Sequence, residues 1–367
     1  MLKTGKIIKN LRKKQDVTQE KLADYLNISY QAISKWENDT ALPDITLIPK
    51  IAKFFGVTAD ELLGLKDAAD NEELKEYERQ YHENNRNGRM LDNIKLSREV
   101  LEKYPRHYQW MLNLAYPLIQ YDDTDEHRRF GKEHGFLEEA IKICETILED
   151  CTTDSIRHSA IQILCYSYPF VGKRELAIEM AYEMPEIALS KEVLLFHALE
   201  GEKKINCAQE NLMSLIDMSA GLIVALSSLM KDELTLSERV SFIKTANTLY
   251  KLILKSDENS LFFNCRLTLN YTWLARLYAQ LGEAEKVIQN LLLAEKTARA
   301  YDENDDLGEQ KYQSPLVNRC TWNPKTTGKN FEASNLELLK KALNEDVFNA
   351  IQNEKEIIDL KKRLEKI

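Results

Sequence analysis

The sequence predicts an all-α protein in two parts, and three observations carry that prediction. Only 12 glycines and 8 prolines punctuate 367 residues, too few for the turns of a many-stranded β protein. Apolar residues recur at helical spacing through most of the chain. Charge is unevenly divided: residues 1–66 hold 11 basic and 8 acidic side chains, against 39 and 51 in the remainder. The head is therefore net +3 and the body −12 within a total of −9. The length exceeds what one core usually fills, and 44% hydrophobic with 30% charged residues describes a folded chain. A basic head on an acidic body predicts that the head alone meets a polyanion. Lys3, Lys6, Lys9, Arg12, Lys13 and Lys14 stand within residues 1–15 without one carboxylate. A solvated helix face would account for that cluster equally well.

In the head, Ile7, Ile8 and Leu11 predict a first helix over residues 4–14. Thr18 caps a second helix holding Leu22, Ala23 and Leu26, with Glu20 in its first turn. Asn27 can end that helix in the left-handed region, and Ser29 can cap a third containing Ile33 and Trp36. Two helices about three residues apart, the second with few exposed acids, have helix-turn-helix spacing. Pro43 and Asp44 open a fourth, with Ile48, Ile51, Ala52 and Phe55 inward. Pro49 places its effective start near Thr46, Gly56 closes it, and Thr58 caps a fifth over residues 59–63.

These residues carry a resemblance. Thr18-Gln19-Glu20-Lys21-Leu22-Ala23, Ser29-Tyr30-Gln31-Ala32-Ile33-Ser34-Lys35-Trp36-Glu37-Asn38, Pro43-Asp44 and Ala59-Asp60-Glu61-Leu62-Leu63 resemble the five-helix DNA-binding domain of lambdoid phage repressors and xenobiotic-response-element regulators, the Cro/C1 type. The resemblance implies that the third helix lies in the major groove. Tyr30, Gln31, Ser34 and Lys35 would then read bases: Gln31 can pair bidentately with adenine, and Lys35 can donate to guanine O6 or N7. Gln19, Ser29, Asn38 and Thr18 match positions that hold phosphate oxygens and set register. Arg12 and Glu37 match a buried pair that ties the first helix to the third. Tyr30 stands where a second amide is common, so it would act by stacking, by methyl contact or by packing. Asp39 replaces the usual glycine after Asn38; Asp tolerates the left-handed region, but its charge is unhelpful near phosphate.

Residues 67–73 are polar and lack helical apolar spacing, which predicts a linker between the head and a body starting at residue 74. The body repeats. Ile161, Leu164, Cys165, Tyr168, Gly172, Ala177, Ile178, Ala181 and Met184 match Tyr271, Leu274, Ala275, Tyr278, Gly282, Val287, Ile288, Leu291 and Ala294 offset for offset. Gly135, Ala140, Ile141, Cys144 and Ile147 restate the second half, and Gly88, Asn93, Ile94, Ser97, Val100 and Pro105 offer a further copy. A period near 37 resembles that of tetratricopeptide repeats, in which each helix pair needs the next to cover its apolar face. The prediction is a tetratricopeptide-like α-solenoid over residues 74–300, with residues 205–254 helical but out of register. Residues 301–330 read as a loop whose Tyr312, Pro315, Leu316, Val317 and Trp322 pack on the array. Residues 331–367 resume helical spacing through Leu336, Leu339, Leu343, Val347, Ile351, Ile358 and Leu364, either capping the array or crossing to a second subunit.

Six cysteines without a C-x-x-C pair argue against a zinc or redox framework. No phosphate loop, dinucleotide turn, H-E-x-x-H pair or nucleophile elbow occurs. Asp123, Asp125, His127 and His134 form the best metal-like group, but Arg128 stands where a calcium loop needs glycine. Asp302, Asn304 and Asp306 fail likewise, with Leu307 there. No signal segment is evident, and no apolar run approaches membrane-spanning length; residues 220–230, the most apolar window, read as a buried core helix. The expectation is a cytoplasmic, cofactor-free, non-enzymatic homodimer that regulates transcription from a double-stranded DNA operator as a repressor. Its architecture resembles the peptide-sensing quorum regulators of Gram-positive bacteria, which implies a peptide or protein effector on the array. The rival expectation is an interaction adaptor with a vestigial DNA-binding head.

Overall fold

The computed structural model describes residues 4–63, 68–121, 135–254, 260–304, 307–329 and 332–366. It comprises two compact units, Met1–Gln80 and Tyr81–Ile367. In the first, α1 (Thr4–Lys14), α2 (Gln19–Leu26), α3 (Tyr30–Glu37), α4 (Ile48–Phe55) and α5 (Ala59–Leu63) enclose one core. Ile8, Leu22, Ile33, Ile51 and Leu62 are fully buried in it, with Trp36 and Phe55 beside them.

Each of α1 to α4 ends in the same way. Asp16, Asn27, Asp39 and Gly56 adopt positive φ. The amide that follows each of these residues returns to the carbonyl four positions before the same residue: Val17 to Arg12 (3.0 Å), Ile28 to Ala23 (3.0 Å), Thr40 to Lys35 (2.9 Å) and Val57 to Ala52 (3.0 Å). This is the Schellman closure, and the residues at its left-handed position are the types that tolerate it. Thr18 accepts from Lys21 N at 3.1 Å as expected. Ser29 occupies the cap position of α3, but its hydroxyl makes no capping bond. The Ala32 amide donates instead to the Ser29 carbonyl at 3.0 Å. A 3-10 turn, Ile45–Leu47, capped by Asp44, precedes α4 and leaves Pro49 in the first helical turn. Thr58 and Glu61 cap α5 reciprocally, a capping box at 3.1 and 3.0 Å.

The next helix, α6 (Ala68–Arg86), begins inside the stretch read as a linker. Residues 64–67 lie outside the described residues. The stretch lacks an apolar stripe, but Ala and Glu are strong helix formers and a solvated helix needs none.

In the second unit, α7 (Met90–Lys103), α8 (Tyr108–Gln120), α9 (Phe136–Asp150), α10 (Asp154–Ser167) and α11 (Arg174–Tyr182) pack in chain order around one apolar cluster. The helices α12 (Lys191–Ala198), α13 (Gly201–Leu229), α14 (Leu236–Leu254), α15 (Phe263–Gln280) and α16 (Ala284–Asp302) follow. A second cluster runs from Ala220 to Leu364. Packing of each helix chiefly on its chain neighbours is the logic of a helical array.

The repeat read from the sequence has a structural counterpart in its turns. Gly88, Gly135, Gly172 and Gly282 all adopt φ between 68° and 76°. Arg89 N donates to Asn84 O, Lys173 N to Tyr168 O and Glu283 N to Tyr278 O, at 2.9, 2.9 and 3.0 Å. The two aligned sets differ in their second helix. Val287, Leu291 and Ala294 are buried, whereas Ile178 and Ala181 on α11 are exposed. A repeat buries its second helix only where a following pair covers it, and between Ala177 and Ala220 only Cys207 is buried.

The expected burial of residues 220–230 is corrected. Ala220 and Ser227 are buried, but Leu222, Leu226 and Leu229 are exposed. The same helix, α13, is long and apolar enough to cross a membrane, and little of its apolar stretch is buried. Scattered serines and Gly221 hide that run from a search for unbroken apolar stretches. Its Asp217 accepts from the Tyr250 hydroxyl at 2.8 Å and from Arg266 at 3.1 and 3.2 Å, which fixes α13 to α14 and α15.

Residues 307–329 carry a short ribbon, β1 (Gln310–Lys311) paired with β2 (Thr321–Trp322), that the sequence did not announce. Tyr312, Val317 and Trp322 are buried as expected, while Pro315 and Leu316 are exposed. The helices α17 (Asn335–Ala342) and α18 (Lys355–Leu364) pack on α16. Ile357, not Ile358, faces that core. Bidentate ion pairs join this segment to the array: Arg276 with Glu345, and Arg363 with Glu295.

Candidate nucleic-acid interface

The exposed side of α3 is the candidate site, and its position is set by contacts on the opposite side. Helix α1 crosses α3 at Gly5, where an added Cβ would lie 1.8 Å from the Trp36 carbonyl oxygen. Only glycine permits that approach. Two turns further along, Arg12 donates through Nε to Glu37 Oε1 at 2.6 Å and through Nη2 to Oε2 at 2.9 Å, and its Nη1 reaches the Val17 carbonyl at 2.8 Å. Gln19 Nε2 donates to Glu37 Oε2 at 2.8 Å. Glu37, whose side chain is 1% exposed, thus receives α1 and the start of α2 together. Burial pushes its carboxyl pKa up. Hydrogen bonds from Arg12 and Gln19, with the charges of Arg12 and Lys9, outweigh burial and hold it below the ordinary carboxylate value. Its hydrogen bond to Glu37 raises the Arg12 pKa.

With Glu37 turned inward, the outer side of α3 carries no acid. Tyr30 is 52% exposed. Gln31 and Lys35 are exposed, and among the described residues neither side chain has a hydrogen-bonding partner. Ser34 is half-buried and its hydroxyl accepts from Asn38 Nδ2 at 3.4 Å, a weak contact. The four side chains named for base reading therefore share one helix, with one amide and one ammonium group unengaged. Among the phosphate candidates, Ser29 keeps a free hydroxyl, Thr18 uses its oxygen as a cap, and Gln19 has committed one N–H to Glu37. Asp39 sits at φ 58° immediately after Asn38.

Gly5 and the role of Gln19 as a second donor to Glu37 were not foreseen. A lone glycine in the first turn of a basic helix was the only visible sign of the former. The Gln15 amide, which donates to the Phe55 carbonyl at 2.9 Å and ties α1 to the end of α4, gave no sign at all.

Elsewhere, no group of three or more metal-ligating side chains occurs among the described residues. Asp123, Asp125, His127 and His134 lie outside them, as does Asp306. Asp302 serves the fold instead. Its carboxylate accepts from the Asn335 and Leu336 amides at 3.1 and 2.9 Å and anchors α17, while Asn304 donates to the Ala300 carbonyl. Burial pushes the Cys144 thiol up to about 12 and that of Cys265 up to about 11. Neither is a thiolate at neutral pH.

Residues 8–62 match the helix-turn-helix family model HTH_3. The transcriptional activator BcrR of Enterococcus faecalis is 46% identical over 56 residues, 15% of this chain and 28% of that protein. The transcriptional regulator ImmR of Bacillus subtilis is 33% identical over 69 residues, 19% and 54% of the two chains. The phage CTXphi repressor RstR of Vibrio cholerae is 31% identical over 68 residues, 18% and 61%. The chain thus spans less than two thirds of each of these relatives, and the likeness is confined to the head. The crystal structure of Bacillus thuringiensis PlcR with the peptide PapR7 and DNA aligns over 81% of this chain and 94% of that one, at 13% identity and a TM-score of 0.33. A score that low fixes neither register nor contacts in the body. The amino-terminal unit contains a helix-turn-helix domain of the Cro/C1 type.

Proposed function

We propose that the protein is a sequence-specific, dimeric transcriptional regulator, acting as a repressor from the cytoplasm. Its head binds a double-stranded DNA operator, and its tetratricopeptide-like array carries an effector site for a peptide or protein. The observation that carries this reading is the outer side of α3: Gln31 and Lys35 stand unengaged beside Tyr30 while Glu37 is held inward. A buried Glu37 adds no repulsion to the exposed side of α3, and the unengaged amide and ammonium match base-edge donors and acceptors. No cofactor or catalytic group is part of the reading.

Fluorescence anisotropy on a duplex selected from a random pool tests it. Gln31→Ala or Lys35→Ala costs about 1–3 kcal/mol on the selected site and little on unrelated duplexes. Ser29→Ala weakens all duplexes alike, because a phosphate contact carries no base information. Equal losses on every duplex for all three variants would remove the base-reading assignment. The adaptor reading draws on the exposed apolar side chains of residues 182–229; weak binding to every duplex, together with capture of a protein partner that survives alteration of both Gln31 and Lys35, would favour it.

A further inference from the structure

The apolar side of α13 that faces away from α14 is not a normal solvated helix surface. Leu215, Met218, Leu222, Leu226 and Leu229 are between 41% and 78% exposed. They follow one another at intervals of 3, 4, 4 and 3 residues, the seam spacing of a helix that packs on another helix. The remaining exposed positions beside them, Ser214, Ser219, Gly221 and Ala225, are small, which allows close helix approach. From residue 212 to residue 230 the only charged side chain is Asp217, and it is turned inward to Tyr250 and Arg266. The N-terminal half of α13 differs: Gln209 and Arg319 fasten it to the loop after β1, and Arg319 also reaches Glu202 and Asn206.

We propose that this stripe is a self-association surface, on which the same helix of a second copy docks across a two-fold axis. Two observations select a second copy as the occupant. The chain is net −9, so most of its surface repels a copy, whereas the stripe is uncharged and meets another without electrostatic cost. Large residues at seam spacing with small ones beside them are self-complementary, as a two-fold contact requires. The need for two recognition helices rests on the regulator reading above; the stripe itself does not.

Light scattering and sedimentation equilibrium on the full chain at micromolar concentration test the proposal. The wild type is expected at twice the chain mass of 42.6 kDa. Leu222→Glu and Leu229→Lys are each expected to raise the dissociation constant by roughly 30-fold or more, with unchanged far-UV circular dichroism. Leu229 lies in the last helical turn, so its variant carries the test should Leu222→Glu misfold. A monomeric wild type, or dimers that persist in both folded variants, would overturn the proposal. So would a monomer that floats with phosphatidylglycerol vesicles, which would assign the stripe to a membrane. A monomer that still selects one DNA sequence sinks this interface and leaves base reading by the head intact; a dimer that ignores DNA does the reverse.

Discussion

Glu37 shows how one buried carboxylate can decide what a surface does. It is enclosed, doubly bonded by Arg12 and bonded again by Gln19, so removing one partner strands a charge in the core. Arg12→Ala is expected to cost about 3 kcal/mol, read by urea denaturation or by amide exchange in α1 and α3. The folded-state pKa of Glu37 is depressed. Its contribution is therefore complete above the ordinary carboxylate pKa and is lost as pH falls through the lower folded value. Acid titration of head amide exchange should show that loss in the wild type and not in Glu37→Gln. At Gly5 the constraint is space: with a Cβ 1.8 Å from the Trp36 carbonyl oxygen, Gly5→Ala must move α1 away from α3, at a cost of about 3 kcal/mol. Amide exchange confined to those two helices would report it. The sequence disclosed the Arg12–Glu37 pair through a family resemblance. It could not disclose Gly5, because a close approach between helices is a property of two segments and is written in neither alone.

At the level of elements, the chain closes helix after helix with one device. A left-handed residue returns the following amide to the carbonyl four positions before it, in the head at Asp16, Asn27, Asp39 and Gly56 and in the body at Gly88, Gly172 and Gly282. Added Cβ atoms at Gly172 and Gly282 meet nothing within 4 Å, so substitution there has a conformational cost without a clash. Gly282→Ala is expected to lose about 1 kcal/mol, seen as a lowered midpoint in thermal unfolding. The helix ends at Asn27 and Gly56 were legible because they depend on local sequence, whereas Asp16 gave no such sign. The burial of the body helices was less legible. The same periodic pattern lies under a neighbour in α16 and open in α11, since periodicity specifies a face and not what covers it. The helix α6 makes the complementary point: with no apolar stripe over its first residues it reads as a linker, yet its propensity suffices.

For the whole molecule, the uneven charge sets the expected response to salt. DNA binding by a basic head releases counterions, so affinity should fall linearly with the logarithm of salt concentration, by about 0.9 logarithmic units per phosphate neutralised. Anisotropy titrations across a salt series should show selected and unrelated duplexes weakening together, with their ratio far less affected. The sequence by itself determined the all-α class, the helix-turn-helix head, the helix ends at Asn27 and Gly56 and the asymmetry of charge, because each follows from composition or from residues within one or two helical turns of one another. Only the tertiary structure decided that Glu37 gathers α1 and α2, that α17 and α18 pack on α16, and that α13 leaves an uncharged apolar seam in the open. Those outcomes depend on which faces meet across many intervening residues, and the free energy of burial belongs to the pair of surfaces and to neither strip of sequence separately.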